Sequence, residues 1–168
     1  MADLIVETGS GLTNSNAYVS LDDADLYHEM RLHVSDWTDA SDDDKEAAIM
    51  WASALLDTTV DWSGSKLSSA QAMRWPRTGI YDVDGYSISS SEIPQFLSDA
   101  TAEYARILIA DDITAVSDLA GFKKLKVDVI EMEIDKWDRA SSIPPLVWDY
   151  IKPYGSKLSK QHRMLERM

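Results

Sequence analysis

The sequence predicts a mainly α fold: a compact helical bundle with a minor β-hairpin component and an extended C-terminal arm. Three observations predict it. Serines followed by acidic residues stand ahead of runs with helical spacing, as N-caps do. A long segment near residues 92–111 carries apolar residues on two sides, as a helix would that is central or packed between its own core and a neighbouring copy. Strand signals are confined to short stretches, an Asp-Gly hairpin turn near 80–88 and alternation at period two over 124–135.

Residues 1–17, with Gly9, Gly11, Asn14, Ser15 and Asn16, read as a flexible arm or short strand and then a loop. Ser20 can cap a first helix over 21–32, with Asp23 three residues later. Ser41 can cap a second over 42–58, where Asp42, Asp43 and Asp44 load the positive end of the helix dipole and Ala48, Trp51, Ala52, Leu55 and Thr59 recur at helical spacing. Consecutive helical residues point in different directions, so the Asp triplet is a cap and not a metal cluster.

Residues 61–90 are irregular, punctuated by Gly64, Pro76, Gly79 and Gly85, with room for a short helix around Ser68–Met73. Asp84-Gly85 reads as a hairpin turn. A calcium loop centred on Gly85 fails, because Ile80 and Ser91 would occupy its first and last ligand positions. Ser91 can cap the third long helix, over 92–111, with Pro94 in its first turn. Leu125, Val127 and Val129 share one parity and Ile130, Met132 and Ile134 the other, which places a bulge or tight turn at Val129-Ile130. Pro144 and Pro145 open a last short helix near 145–151, stopped by Pro153 and Gly155. The expected organisation is one domain over 1–155 and a basic arm over 156–168.

The 168 residues carry a net charge of −13 and no cysteine, so disulfides, thiol nucleophiles and cysteine zinc sites are excluded. Lys157, Lys160, Arg163 and Arg167 against Glu166 give a local +3, leaving −16 on the preceding residues. Such an acidic body argues against a general duplex-DNA binder, whose affinity comes from phosphate neutralisation. No basic segment followed by an apolar stretch opens the chain and no apolar run could span a bilayer, so neither a signal peptide nor a membrane partner is expected. His28 and His33 are five residues apart, off one helix face, and no phosphate loop or nucleophile elbow is present. The expectation is a non-enzyme with no catalytic, cofactor-binding or metal-binding residue.

The segment Gln71-Ala72-Met73-Arg74-Trp75-Pro76-Arg77-Thr78-Gly79 stands out. Arg74, Trp75 and Arg77 could stack and bind nucleic-acid bases. In so acidic a chain they read instead as a loop or interface anchor, with the arginines paired to carboxylates. Six tryptophans support an anchoring use, some of them at an interface with another subunit.

Several segments in order carry a resemblance: Asn16 to Tyr27, Lys45 to Ile49, Leu55-Leu56-Asp57, Trp62-Ser63-Gly64, Gln71 to Gly79, Asp84-Gly85, Ile93-Pro94 and Ala100 to Glu103. Over residues 16–110 the chain resembles the tailed-phage head–tail connector (adaptor) family, whose members are often labelled DnaT-like single-stranded-DNA-binding proteins. The resemblance implies a structural virion subunit at the virion neck, assembled in the host cytoplasm. It would form a ring of twelve copies, touching itself, the portal protein and a tail or tail-terminator component, with genomic DNA passing through unbound. The alternative is a single-stranded-DNA-binding replication protein of primosomal type. Under the connector reading, Lys157, Leu158, Lys160, Arg163, Met164, Leu165 and Arg167 form an arm that docks on the portal or a neighbouring subunit, cations steering and apolar side chains anchoring.

Overall fold

The computed structural model describes residues 2–115, 124–127, 130–133 and 143–158. In chain order the elements are α1 (Leu21–Glu29), α2 (Ser35–Thr38), α3 (Asp42–Thr59), β1 (Val60–Trp62), β2 (Ser65–Lys66), β3 (Arg77–Thr78), α4 (Gln95–Ala110), β4 (Lys124–Val127), β5 (Ile130–Glu133), α5 (Pro145–Ile151) and β6 (Gly155–Lys157). Among the described residues the fold is mainly α, with three two-stranded antiparallel sheets, β1–β6, β2–β3 and β4–β5. None of the described helices is long and apolar enough to cross a membrane.

Helices α3 and α4 are the centre. Ser41 accepts from the Asp44 amide at 3.2 Å and caps α3. The helix buries Ala48, Ile49, Ala52, Ser53 and Leu56, and the small residues in that face let α4 approach closely. Helix α4 buries Leu97 and every residue from Ala100 to Tyr104 and Ala105, because α1, α2 and α5 cover the sides that α3 leaves. Its two-sided apolar character in the sequence thus belongs to the interior of one chain.

Boundaries moved where local chemistry decides. Helix α1 stops at Glu29, short of the expected residue 32, because beyond His28 there is little to bury: Leu32 is 83% exposed and His33 takes a positive φ of 60°. Helix α4 starts at Gln95 because Ile93, as the residue before a proline, is pushed out of the helical region and Pro94 takes the capping position at ψ 144°. Ser91 does not cap it; its amide donates to Ser89 Oγ. No helix forms around Ser68–Met73. The Asp84-Gly85 turn holds a single bridge, Tyr81 to Ser87. The phase change in the later β-segment is the junction of β4 and β5, where Val127 pairs with Ile130.

Two segments are tied down more than their composition suggests. The buried carboxylate of Glu7 accepts from the amides of Gly9, Gly11 and Leu12 and from Ser15 Oγ, and Val6 bridges Ala17. Residues 155–157 are strand β6 on β1, so Ser156 and Lys157, expected as the start of the arm, are part of the domain. Gly155 fits there because a Cβ would come within 2.8 Å of Val60 Cγ1 and 2.9 Å of Asp61 O.

Polar side chains close the corners between helices. Asp25 accepts from Trp37 Nε1 at 2.7 Å and Lys45 Nζ at 2.9 Å, joining α1, α2 and α3. The carboxylate of Glu103, fully buried on α4, meets Arg106 at 2.6 Å and Arg31 at 3.1 Å. Removing one of the two cations leaves the buried carboxylate only partly compensated by Arg31. We therefore expect Arg106→Met to cost about 3 kcal/mol in urea unfolding. Lys152→Met, which breaks an exposed pair with Asp149, should cost under about 1 kcal/mol. Equal losses would contradict this account of the buried Glu103 carboxylate.

Candidate nucleic-acid interface

In a chain of net charge −13, residues 62–81 contain no carboxylate and three cations, Lys66, Arg74 and Arg77. Strands β2 and β3 close this stretch into a loop, pairing Ser65 with Thr78 and Lys66 with Arg77. Inside it, Gln71 works as a spacer. Its Nε2 donates to the carbonyls of Met73 and Pro76 at 3.0 Å each, and its Oε1 accepts from the Ser68 amide at 2.8 Å. Lys66 Nζ donates to the Gln71 carbonyl at 3.0 Å.

Two contacts fasten the loop to the helices. Tyr18 Oη donates to Asp57 Oδ1 near the end of α3 and accepts from the Trp75 amide at 3.2 Å. The other Asp57 oxygen accepts from the Arg74 amide at 3.0 Å. The Trp75 ring is fully buried, edge-on to Trp62 and Phe96 with centroids 5.6 and 5.7 Å away, and the Trp75–Pro76 peptide is cis. Phe96 in turn stacks on Tyr154 at 3.9 Å, so the loop, α4 and the approach to β6 share one aromatic cluster.

Arg77 is the second fastening. Its Nε donates to Ser63 O at 2.7 Å, Nη1 to Arg74 O at 3.0 Å, and Nη2 to Gly64 O at 2.8 Å and Trp62 O at 3.2 Å. The expected carboxylate pairing of the arginines is therefore corrected for Arg77: its guanidinium is spent on backbone carbonyls across the loop. Gly64 meets the same crossing. It has a φ of +68°, and a Cβ there would lie 2.3 Å from Thr78 O. Burial lowers the Arg77 pKa, and Arg74 beside it adds to the effect. Burial also drives the Tyr18 hydroxyl well above its ordinary value and raises the Asp57 carboxyl to about 6.

Trp75 is thus unavailable to a base, while Arg74 stands exposed at the rim. The 80–88 turn follows directly from β3 and presents Tyr81 at 61% and Tyr86 at 73% exposure. Asp82 orders its tip, accepting from the amides of Asp84 and Tyr86 at 3.0 and 2.8 Å. Tyr81 pairs with Ser87, so Tyr86 lies one residue out of that register, and alternation along a strand sends the two rings to opposite faces. Tyr81 closes the carboxylate-free stretch; Tyr86 follows two aspartates. The acid-free run was readable in the sequence as a charge pattern. The Tyr18–Asp57 fastening was not, since its members are 39 residues apart.

The C-terminal candidates are divided. Lys157 lies in β6 with its Nζ 4.9 Å from the Trp148 ring centroid, and the Leu158 amide donates to Thr59 O at 2.9 Å. Lys160, Arg163, Met164, Leu165 and Arg167 lie outside the described residues. The described residues contain no group of three or more His, Asp or Glu side chains placed to hold a metal ion.

Two outcomes follow from this geometry. Trp75→Ala should destabilise the protein by about 3–5 kcal/mol in denaturant unfolding, the range for a large buried aromatic. The Asp57 carboxyl sits above its unfolded value, so its contribution to stability is present at low pH and is lost as pH rises through about 6. Between pH 4 and 7 the wild type should therefore lose roughly 1–3 kcal/mol relative to Asp57→Asn. A difference independent of pH would contradict the placement of that carboxyl.

Comparison with known proteins extends beyond the segments that carry the resemblance. Neither the curated proteins nor the solved structures yielded a match. A family profile described as "Putative DnaT-like ssDNA binding protein" matches residues 2–167. This overturns the assignment to the head–tail connector family, and with it the reading of the protein as a connector ring subunit that binds the portal. The residues that suggested it, Asn16 through Glu103, lie inside the DnaT-like match, and the label treated as secondary is the family's own description. Because the match takes in nearly the whole chain, the protein belongs to this DnaT-like ssDNA-binding family.

Proposed function

We propose that the protein is a non-catalytic single-stranded-DNA-binding protein and that the 62–81 loop with Tyr81 is its contact surface. The family match over residues 2–167 is the observation that carries this reading. The geometry supports a location for it. Single-strand binding combines cations that follow the backbone with aromatic rings on which bases stack. Lys66 and Arg74 on the loop and exposed Tyr81 at its end supply both, in the longest stretch of the sequence without a carboxylate.

The remaining surface would repel a polyanion, so contacts should be few and affinity modest and salt-sensitive. Trp75, Arg77 and Asp57 hold the loop's shape without touching the strand. Arg74 and Tyr81 touch it.

The test is fluorescence anisotropy with a labelled oligothymidylate at low ionic strength. Wild type should bind, and binding should weaken steeply with added salt. Arg74→Glu should weaken it by roughly tenfold or more, and Tyr81→Ala by about 1–3 kcal/mol, the range for losing one stacked base. Tyr86→Ala should change it little. An absence of binding by wild type at low salt, or variants that bind as wild type does, would overturn the reading.

A further inference from the structure

On the opposite charge balance, a groove of about 520 Å³ lies between α2, the first half of α3 and the end of α4. Its floor and wall include Trp51, Leu108 and Ile109; Asp36, Asp39 and Asp44 rim it. Trp51 is 51% exposed in the middle of a helix, where a ring of that size ordinarily finds cover. The acids make the groove unfit for DNA. It suits a segment that is basic and partly apolar.

The chain carries such a segment. Residues 159–168 contain Lys160, Arg163 and Arg167 against Glu166, together with Met164, Leu165 and Met168. Where they start is also informative. Strand β6 runs antiparallel to β1, which continues from α3, so the chain leaving β6 heads back along α3, and Leu158 bonds to Thr59 at its last residue. From there Trp51 is eight residues back along the helix, about 12 Å, and Asp44 about 22 Å. Ten residues in extended form reach about 33 Å. Between the two points α3 exposes Thr58, Ala54, Trp51, Ala47 and Asp44, at spacings of three and four that align them on one side of the helix. Small side chains pave the way to the tryptophan.

We propose that residues 159–168 of the same chain fold back along α3 and dock in this groove. Arg163 and Arg167 meet the Asp36, Asp39 and Asp44 rim, Met164 and Leu165 cover Trp51, Leu108 and Ile109, and Lys160 lies over the approach along α3. The docked segment lowers the negative charge of the helical body at the place where it is densest. The proposal does not depend on DNA binding.

The protein has no cysteine, so Met168→Cys gives a single attachment point for a nitroxide. The readout is paramagnetic broadening of the Trp51 indole N–H resonance in the full-length chain. A second protein with the same label and Lys160→Glu, Arg163→Glu and Arg167→Glu shows what tethering alone produces. The expected result is broadening of Trp51 well above that baseline, falling to it in high salt. Broadening equal to the baseline overturns the proposal. A mixture of spin-labelled unenriched chains with unlabelled isotope-enriched chains should show no broadening; if it does, the occupant is the tail of a second copy, which overturns the intramolecular assignment.

Discussion

The shape of the 62–81 loop depends on one hydroxyl. Tyr18 Oη is bonded on one side to Asp57 and on the other to the amide of Trp75, while the second Asp57 oxygen takes the amide of Arg74. Three segments distant in sequence, the lead-in to α1, the end of α3 and the Trp75 loop, meet there. Consecutive amides held by one half-buried acid and its tyrosine fix the backbone at 74–75, which turns Trp75 inward and leaves Arg74 outward. Arg77 then sets the loop's width, since one guanidinium spans carbonyls from residues 62, 63, 64 and 74. A buried cation satisfied by carbonyls needs no carboxylate nearby, which is how this stretch remains free of acids in an acidic protein.

Charge is therefore sorted by position. Glu103 and Asp25 are spent on cations that join helices, and Glu7 on the amides of its own loop. Asp42, Asp43 and Asp44 favour the N-terminus of α3. Most of the remaining acids are solvated, and together they confine any contact with a polyanion to the exception. The same sorting places the acid-rimmed groove and the carboxylate-free loop near opposite ends of α3, with Asp44 in one and Asp57 fastening the other.

Much of this was legible in the sequence, for physical reasons that can be named. Local signals held: the Ser41 cap, the Pro145 start of α5 and the apolar period of α4 each depend on neighbours within a turn or two. The ends of α1 and α4 moved by a few residues where a pre-proline restriction or an absence of apolar cover decided. Strand β6 was missed because three residues, Gly155, Ser156 and Lys157, carry no alternation and acquire strand geometry only from β1. The sequence reads the Trp75 segment as an anchor without indicating what it meets, since Tyr18 and the carbonyls of Trp62, Ser63 and Gly64 have no signature in composition. The connector assignment failed differently: a set of motifs spread over 16–110 was attached to the wrong family, and those motifs describe the scaffold of the loop without naming what it contacts.

The claim at the centre is that the fastened loop is the face that meets single-stranded DNA. Hydrogen–deuterium exchange of the full-length protein, with and without saturating oligothymidylate at low ionic strength, addresses it without altering a residue. The account predicts slowed exchange over residues 64–81, with little change along the first half of α3, where the acids lie. Protection confined to other segments, or none at saturation, would contradict it.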